Sequence, residues 1–238
     1  MKKCIFTIIA LTYLVTAMTQ SRVVNDKNAQ VRNVKGFHAI RVSSGIHLFL
    51  TQGTEEAVAV SASEEKYRDH IATVVENGVL KIYFDDNSWH FWDDDRKKLK
   101  AYVSCKMLDA LSASSGSQVE VDGSLKSGEL TMHFSSGANF SGSVAVSSLK
   151  VDQGSGAEAN ISGTASQLHV EASSGSSFKG YDLQTDLCDA SSSSGASLHI
   201  TVNKELSASA HSGGQIYYKG TGLIREISTG SGGEISRR

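Results

Sequence analysis

A Ser-Ser-Gly beat recurs through the second half of this chain at nearly constant spacing. Its glycines are Gly116, Gly137, Gly156, Gly175, Gly195, Gly213 and Gly232, at intervals of 21, 19, 19, 20, 18 and 19 residues. A repeat of this length marks a solenoid, in which each unit stacks on the last because it cannot bury its apolar face alone. Two apolar columns keep step with the beat. Five residues before each glycine stand Leu111, Met132, Val151, Val170, Ala190, Ala208 and Ile227, and three after it Val119, Phe140, Ala159, Phe178, Leu198, Ile216 and Ile235. Leu130, Leu149, Leu168 and Leu206 extend the first column by two residues; Val121, Ile161 and Ile200 extend the second. A step of two is strand periodicity.

Each unit is therefore expected to run strand, Ser-Ser-Gly turn, strand, return turn. Glycine supplies the positive φ of a sharp corner, and serine hydroxyls bond nearby backbone. Gly123, Gly142, Gly163, Gly180 and Gly220 mark the return corner. The 238 residues contain no proline, which suits strands paired on both sides. The predicted fold is all-β: a right-handed parallel β-helix with coils of about 19 residues, rising about 4.8 Å per coil, closed by an N-terminal β cap.

The start of the chain resembles a secretory signal over residues 1–20. Lys2 and Lys3 precede an apolar run from Ile5 to Val15 that is too short to span a bilayer. The protein is thus expected to be exported to the periplasm, the outer surface or the medium, and not to be membrane-spanning. Residues 21–33 read as a linker, 34–105 as an N-terminal β segment and cap, and 106–238 as the repeat β-helix. In the cap, Gly45 closes a first Ser-Gly turn. Ser63 looks like a helix cap before Glu64 and Glu65, and Glu76-Asn77-Gly78 signals a hairpin. Cys105 and Cys188 are separated by four beats, about 19 Å of rise, beyond the reach of a disulfide. Both are expected to be small buried residues.

Net charge is −2, which leaves no global basic field for nucleic acid. Between Leu111 and Ile200 stand nine acidic side chains and three lysines, a composition that repels polyanions.

Phe37-x-x-Ile40-x-Val42-Ser-x-Gly45-Ile46-x-Leu48-x-Leu50-Thr-Gln-Gly53, then Gly78-x-Leu80-Lys-Ile82, then the repeated beats, resemble the head GIN domain family, the putative auto-transporter adhesins of Bacteroidetes-type exported proteins. The resemblance covers the chain from about Val34 onward. It implies a β-helix akin in shape to pectin-lyase-like proteins, no established catalytic site, and a cell-surface or adhesion role. The sequence shows no heptad stalk, C-terminal barrel or anchor segment, so transport by the chain itself is not implied.

The sequence carries no recognisable catalytic signature. Gly-x-Ser-x-Gly does not occur, and the acids fall at scattered offsets from the glycines. His133, His169, His199 and His211 form no column and read as ordinary surface histidines. No catalytic residue, metal ligand or cofactor is assigned, and the chain is not expected to be an enzyme. One segment suits contact with a ligand: Trp89, His90, Phe91, Trp92, Asp93 and Asp94, where both tryptophans sit among acids between two predicted strands. The same aromatics can instead fold over the open end of the core. The leading functional expectation is a non-enzymatic binding or adhesion module for a glycan or protein at the cell surface, with a homo-oligomer among its forms. The competing one is a carbohydrate-active lyase or hydrolase on the same scaffold. The last two residues, Arg237 and Arg238, are expected to guard the final strand against edge pairing.

Overall fold

Each Ser-Gly corner places two consecutive residues in the left-handed region. Ser115, Ser136, Ser155, Ser174, Ser194, Ser212 and Ser231 have φ of 47–53°, and the glycines after them 68–77°. This is the backbone of a type I′ turn. The turn is closed from the residue after glycine to the residue before the serine, as in Ala138 N–H to Ser135 O at 3.1 Å and Ala196 N–H to Ser193 O at 3.0 Å. The turns also bond to one another. Gly116 N–H donates to Ser136 O at 2.9 Å, Gly137 to Ser155 at 3.0 Å, Gly156 to Ser174 at 3.0 Å, Gly175 to Ser194 at 3.0 Å, and so on to Ser231. The corner is thus a continuous hydrogen-bonded column, and the regular beat reflects the need to keep it in register.

The computed structural model describes residues 26–85 and 97–238. Between the corners run β9 (Gln118–Phe134), β10 (Asn139–Gln153), β11 (Glu158–Ala172), β12 (Ser177–Ser192) and β13 (Ser197–Ala210), each parallel to the next. The last coils are shorter pieces: β14 (Gln215–Lys219) on β13, β15 (Leu223–Thr229) on β13, and β16 (Glu234–Arg237) on β14. The chain is a β-solenoid of about 7 turns.

The expected coil of two strands and two turns is replaced by one of three hydrogen-bonded segments. In β10 the ladder to β11 runs to Val146, omits Ser147 and resumes at Ser148. Val144, Val146, Leu149 and Val151 are all buried, so the inward step is three across Ser147 and two elsewhere. The middle segment places Leu125, Val144 and Leu183 in the core at 9, 7 and 8 residues past their glycines. That drift hides the segment from a fixed-offset reading. The bend before it absorbs the extra residues as register shifts at Ser141/Ser143, Asn160/Gly163 and Gly180/Gln184.

The two sequence columns face inward until the last coil, where Ile227 is exposed and Ile235 half-buried. Val119, Phe178 and Leu198 are 0% exposed and Phe140 2%. Burial of such side chains is the main force holding each coil on the next.

The N-terminal half continues this stack. Strands β2 (Ala39–Val42) and β3 (His47–Gln52) flank the Ser44-Gly45 corner. They lie parallel to β8 (Ala110–Ala113) and β9, and Gly45 N–H donates to Ser115 O at 2.9 Å, adding an eighth turn to the column. Beyond them β6 (Val79–Phe84) pairs with β2, and β7 (Lys100–Cys105) with β3. Three antiparallel strands finish this end: β5 (Ile71–Glu76) on β6, β4 (Ala57–Ser61) on β7, and β1 (Gln30–Arg32) on β4. The β5–β6 hairpin turns at Asn77 (φ 51°) and Gly78 (φ 76°), as Glu76-Asn77-Gly78 predicts. The helix α1 (Glu65–Arg68) is a single turn whose N-cap is Glu64 rather than Ser63, and no side chain caps it. Ser63 instead donates its N–H to Lys97 O at 2.8 Å.

Cys105 and Cys188 are both buried free thiols. Four strands separate β7 from β12 in the sheet, so the two cysteines stand about five strand spacings, or 24 Å, apart along the stack. Desolvation pushes the Cys105 thiol up to about 11 and Cys188 further in the same direction.

Candidate functional site

The outward side chains at the fourth position after glycine form a row across β12, β13 and β14: Lys179, His199 and Tyr217, each registered on the next. Tyr181 stands beside this row. The row is outward because its inward neighbours, Phe178, Leu198 and Ile216, fill the core. His199 packs edge-on to Tyr181, with centroids 5.0 Å apart, and lies 5.3 Å from Tyr217 on its other side. Two cations cover the rings. Lys219 Nζ is 4.1 Å from the Tyr181 centroid, and the Arg238 guanidinium carbon 4.5 Å from that of Tyr217. Such contacts hold the rings in place while leaving each cation free to meet an anion.

His199 is therefore not an ordinary surface histidine. Its Nδ1 is sealed from solvent. Desolvation holds its pKa below the usual imidazole value, assisted by the charges of Lys179, Arg238 and Lys219. The ring stays neutral at pH 7 and acts as an aromatic spacer. Lys179, Lys219 and Arg238 gather here, with Lys179 ion-paired to Glu158 on the neighbouring coil; Asp152, Glu171 and Asp189 lie on the strand segments before the turns. Sequence reasoning missed the patch, although its signal is present: Lys179, His199 and Tyr217 share one offset from their glycines.

A second aromatic row lies on the same face at the other end. His47 and Phe49 have centroids 4.1 Å apart, and Phe49 stacks on Tyr102 at 5.2 Å. Tyr102 donates its hydroxyl to Asp26 Oδ2 at 2.9 Å; burial and this carboxylate push its pKa up to about 12. Lys100 Nζ is 3.9 Å from the same carboxylate. Phenol and ammonium here serve Asp26, so the row is braced by the chain itself.

The segments before the turns carry a shallow groove of about 410 Å³, lined in part by Gln167, His169, Leu187, Asp189, Glu205 and Arg225. Its acids are paired. Glu171 Oε1 and Asp189 Oδ2 lie 2.8 and 3.3 Å from the two nitrogens of His169, and Glu205 is 3.9 Å from Arg225. Among the described residues no group of three His, Cys, Asp or Glu is arranged to hold a metal ion, and no helix is long and apolar enough to cross a membrane.

Trp89, His90, Phe91, Trp92, Asp93 and Asp94 lie outside the described residues. The chain leaves the described part at Asp85, whose carbonyl is 2.9 Å from His70 Nδ1. It returns at Lys97, whose ammonium sits 4.9 Å from the Phe84 ring.

The sequence profile of the "putative auto-transporter adhesin, head GIN domain" family matches residues 36–222. The chain belongs to this family. The matched stretch takes in every element from β2 to β14, including three of the coils' aromatic residues, Tyr181, His199 and Tyr217. Solved structures share the fold. A putative adhesin from Bacteroides fragilis has a TM-score of 0.80 at 18% identity, over 88% of this chain and 96% of its own. A putative adhesin from Parabacteroides distasonis has a TM-score of 0.71 at 17% identity, over 88% and 96%. A putative lipid binding protein from the same species has a TM-score of 0.66 at 20% identity, over 90% and 98%. No functionally curated protein matches the chain.

Proposed function

We propose that this protein is a non-enzymatic, exported adhesin-type module that holds an acidic glycan on the patch of its last coils. The observation that carries the reading is the row Tyr181–His199–Tyr217 under Lys219 and Arg238. The hydroxyls and outer edges of the aromatic row offer a sugar ring hydrogen bonds and C–H contacts, and the flanking cations meet its carboxylate or sulfate. Membership of the adhesin family and the signal-like N-terminus support a place at or beyond the cell surface.

Titration with polygalacturonate, and with neutral dextran as control, tests the reading. Tyr217→Ala and Tyr181→Ala are expected to weaken polygalacturonate binding about tenfold each, without a matching loss of melting temperature, and added salt is expected to weaken it further. Equal binding by wild type and both variants, or binding that persists unchanged in high salt, refutes it. A contact role for Trp89, His90, Phe91, Trp92, Asp93 and Asp94 is a separate proposal, tested by deleting residues 87–94. Loss of stability with unchanged binding sinks it.

A further inference from the structure

The two ends of the stack are finished differently. At the N-terminal end the parallel stack is overlaid by antiparallel strands that end at β1 and β5, whereas at the other end the last parallel strands, β15 and β16, are each paired on one side only, by β13 and β14. All seven residues of β15 are exposed, among them Leu223 (75%), Ile224 (51%) and Ile227 (42%). Ile227 belongs to a column that is buried in each of the six preceding repeat coils. The expected guards do not shield this edge. Arg237 donates to the Gly220 carbonyl, and Arg238 lies over Tyr217. Both guanidinium groups are folded back onto the preceding coil. An open edge beside exposed apolar side chains is a template for another strand.

The side chains of β15 select which strand. The register on β13 sets Ile224 opposite Leu206 and Ile227 opposite Ala208, both core positions, with Glu226 opposite Ser207. The shift between Leu206 and Ser207 leaves Arg225 as the extra residue of a bulge. The edge thus reads apolar, cation, anion, apolar. That order is complementary to itself when reversed.

We propose that two copies of this chain join tail to tail through antiparallel pairing of β15, about a two-fold axis between Arg225 and Glu226. Ile224 then meets Ile227 of the second copy, and Arg225 meets Glu226 of the second copy. Both contacts occur twice. The arrangement is isologous, so it closes at the dimer rather than growing into a fibre. It covers the exposed Ile224 and Ile227 of both copies and provides partners for the free backbone groups of both β15 edges. It does not depend on the glycan reading, because the patch residues lie on other strands.

Charge exchange tests the register. Sedimentation velocity of the purified protein at micromolar concentrations is expected to show a dimer. Arg225→Glu alone sets carboxylate against carboxylate at both contacts, and Glu226→Arg alone sets cation against cation. Each is expected to weaken the dimer about tenfold or more. The double variant Arg225→Glu/Glu226→Arg restores opposite pairs and is expected to restore the dimer. Because Glu205 lies 3.9 Å from Arg225, all three variants are also made in a Glu205→Gln background. Circular dichroism confirms that each is folded. A monomeric wild type, an assembly larger than a dimer, single variants that dimerise normally, or a double variant that stays dissociated overturns the proposal.

Discussion

Two glycines with positive φ, seven residues apart, are expected to respond very differently to alanine. Gly156 has φ +69°, and a Cβ built there meets nothing within 4 Å. The cost of Gly156→Ala is therefore purely conformational. Placing an L-residue in the left-handed region costs about 1–2 kcal/mol, and the stiffer unfolded chain returns part of it, leaving about 1 kcal/mol. Gly163 has φ +107°, and its Cβ would fall 2.1 Å from the carbonyl oxygen of Val144, the residue paired with it on β10. That oxygen is backbone and cannot swing aside as the nearby Ser143 hydroxyl can, so the strands must part. Backbone strain, overpacking and a weakened ladder hydrogen bond together bring Gly163→Ala to about 4 kcal/mol. For a chain of this size that separates a fall in melting temperature of about 2–4 °C for Gly156→Ala from one of about 8–16 °C for Gly163→Ala. Gly156→Asn should fall less than Gly156→Ala, because asparagine tolerates the left-handed region. Thermal unfolding followed by far-ultraviolet circular dichroism measures all three. Equal losses for the two alanine variants would refute the reasoning, since the close approach of β11 to β10 at the bend is what distinguishes them.

Phe178→Ala empties a fully buried position and is expected to cost about 3–5 kcal/mol in denaturant unfolding, against less than about 0.5 kcal/mol for Leu187→Ala at a 39% exposed site. Comparable losses would show that the inward column is misassigned. The raised thiol pKa values of Cys105 and Cys188 predict that neither reacts with a thiol reagent at pH 8 until the protein unfolds; rapid labelling of the native protein contradicts this. His199 protonates less readily when folded than its ordinary value of 6.5. Its contribution is thus fully present above that pH and is lost as the pH falls below it toward the folded pKa, where the unfolded state alone takes up the proton. Melting temperature should decline more steeply with acid in wild type than in His199→Gln, and parallel pH profiles would refute the burial argument.

The predicted solenoid is present because its signals are local and repeated. The turn needs left-handed residues at one place per coil, and the two columns flank it at fixed distances, so both survive as sequence offsets. The middle segment was not legible for the converse reason. Leu125, Val144 and Leu183 reach the core after bends of different length, so no fixed offset collects them. Ser63 is not the cap because the helix begins one residue later than the spacing suggests, with Glu64 in the extended conformation of an N-cap.

The candidate site was legible only in retrospect. Tyr181, His199, Tyr217 and Lys219 become neighbours through the parallel register of β12, β13 and β14, and Arg238 joins them by folding back from the last strand. The amino-acid sequence by itself determined that this chain coils, where each coil makes its Ser-Gly corner, and which residues flanking the corners of the inner coils face the core, since these follow from backbone sterics and a period of two. Tertiary structure alone decided which outward side chains share a surface, which end of the stack stays open, and where the terminal arginines lie. Those outcomes depend on the lateral register between coils, and register is fixed by core packing and bend length, neither of which acts on an outward residue through its own neighbours in the chain.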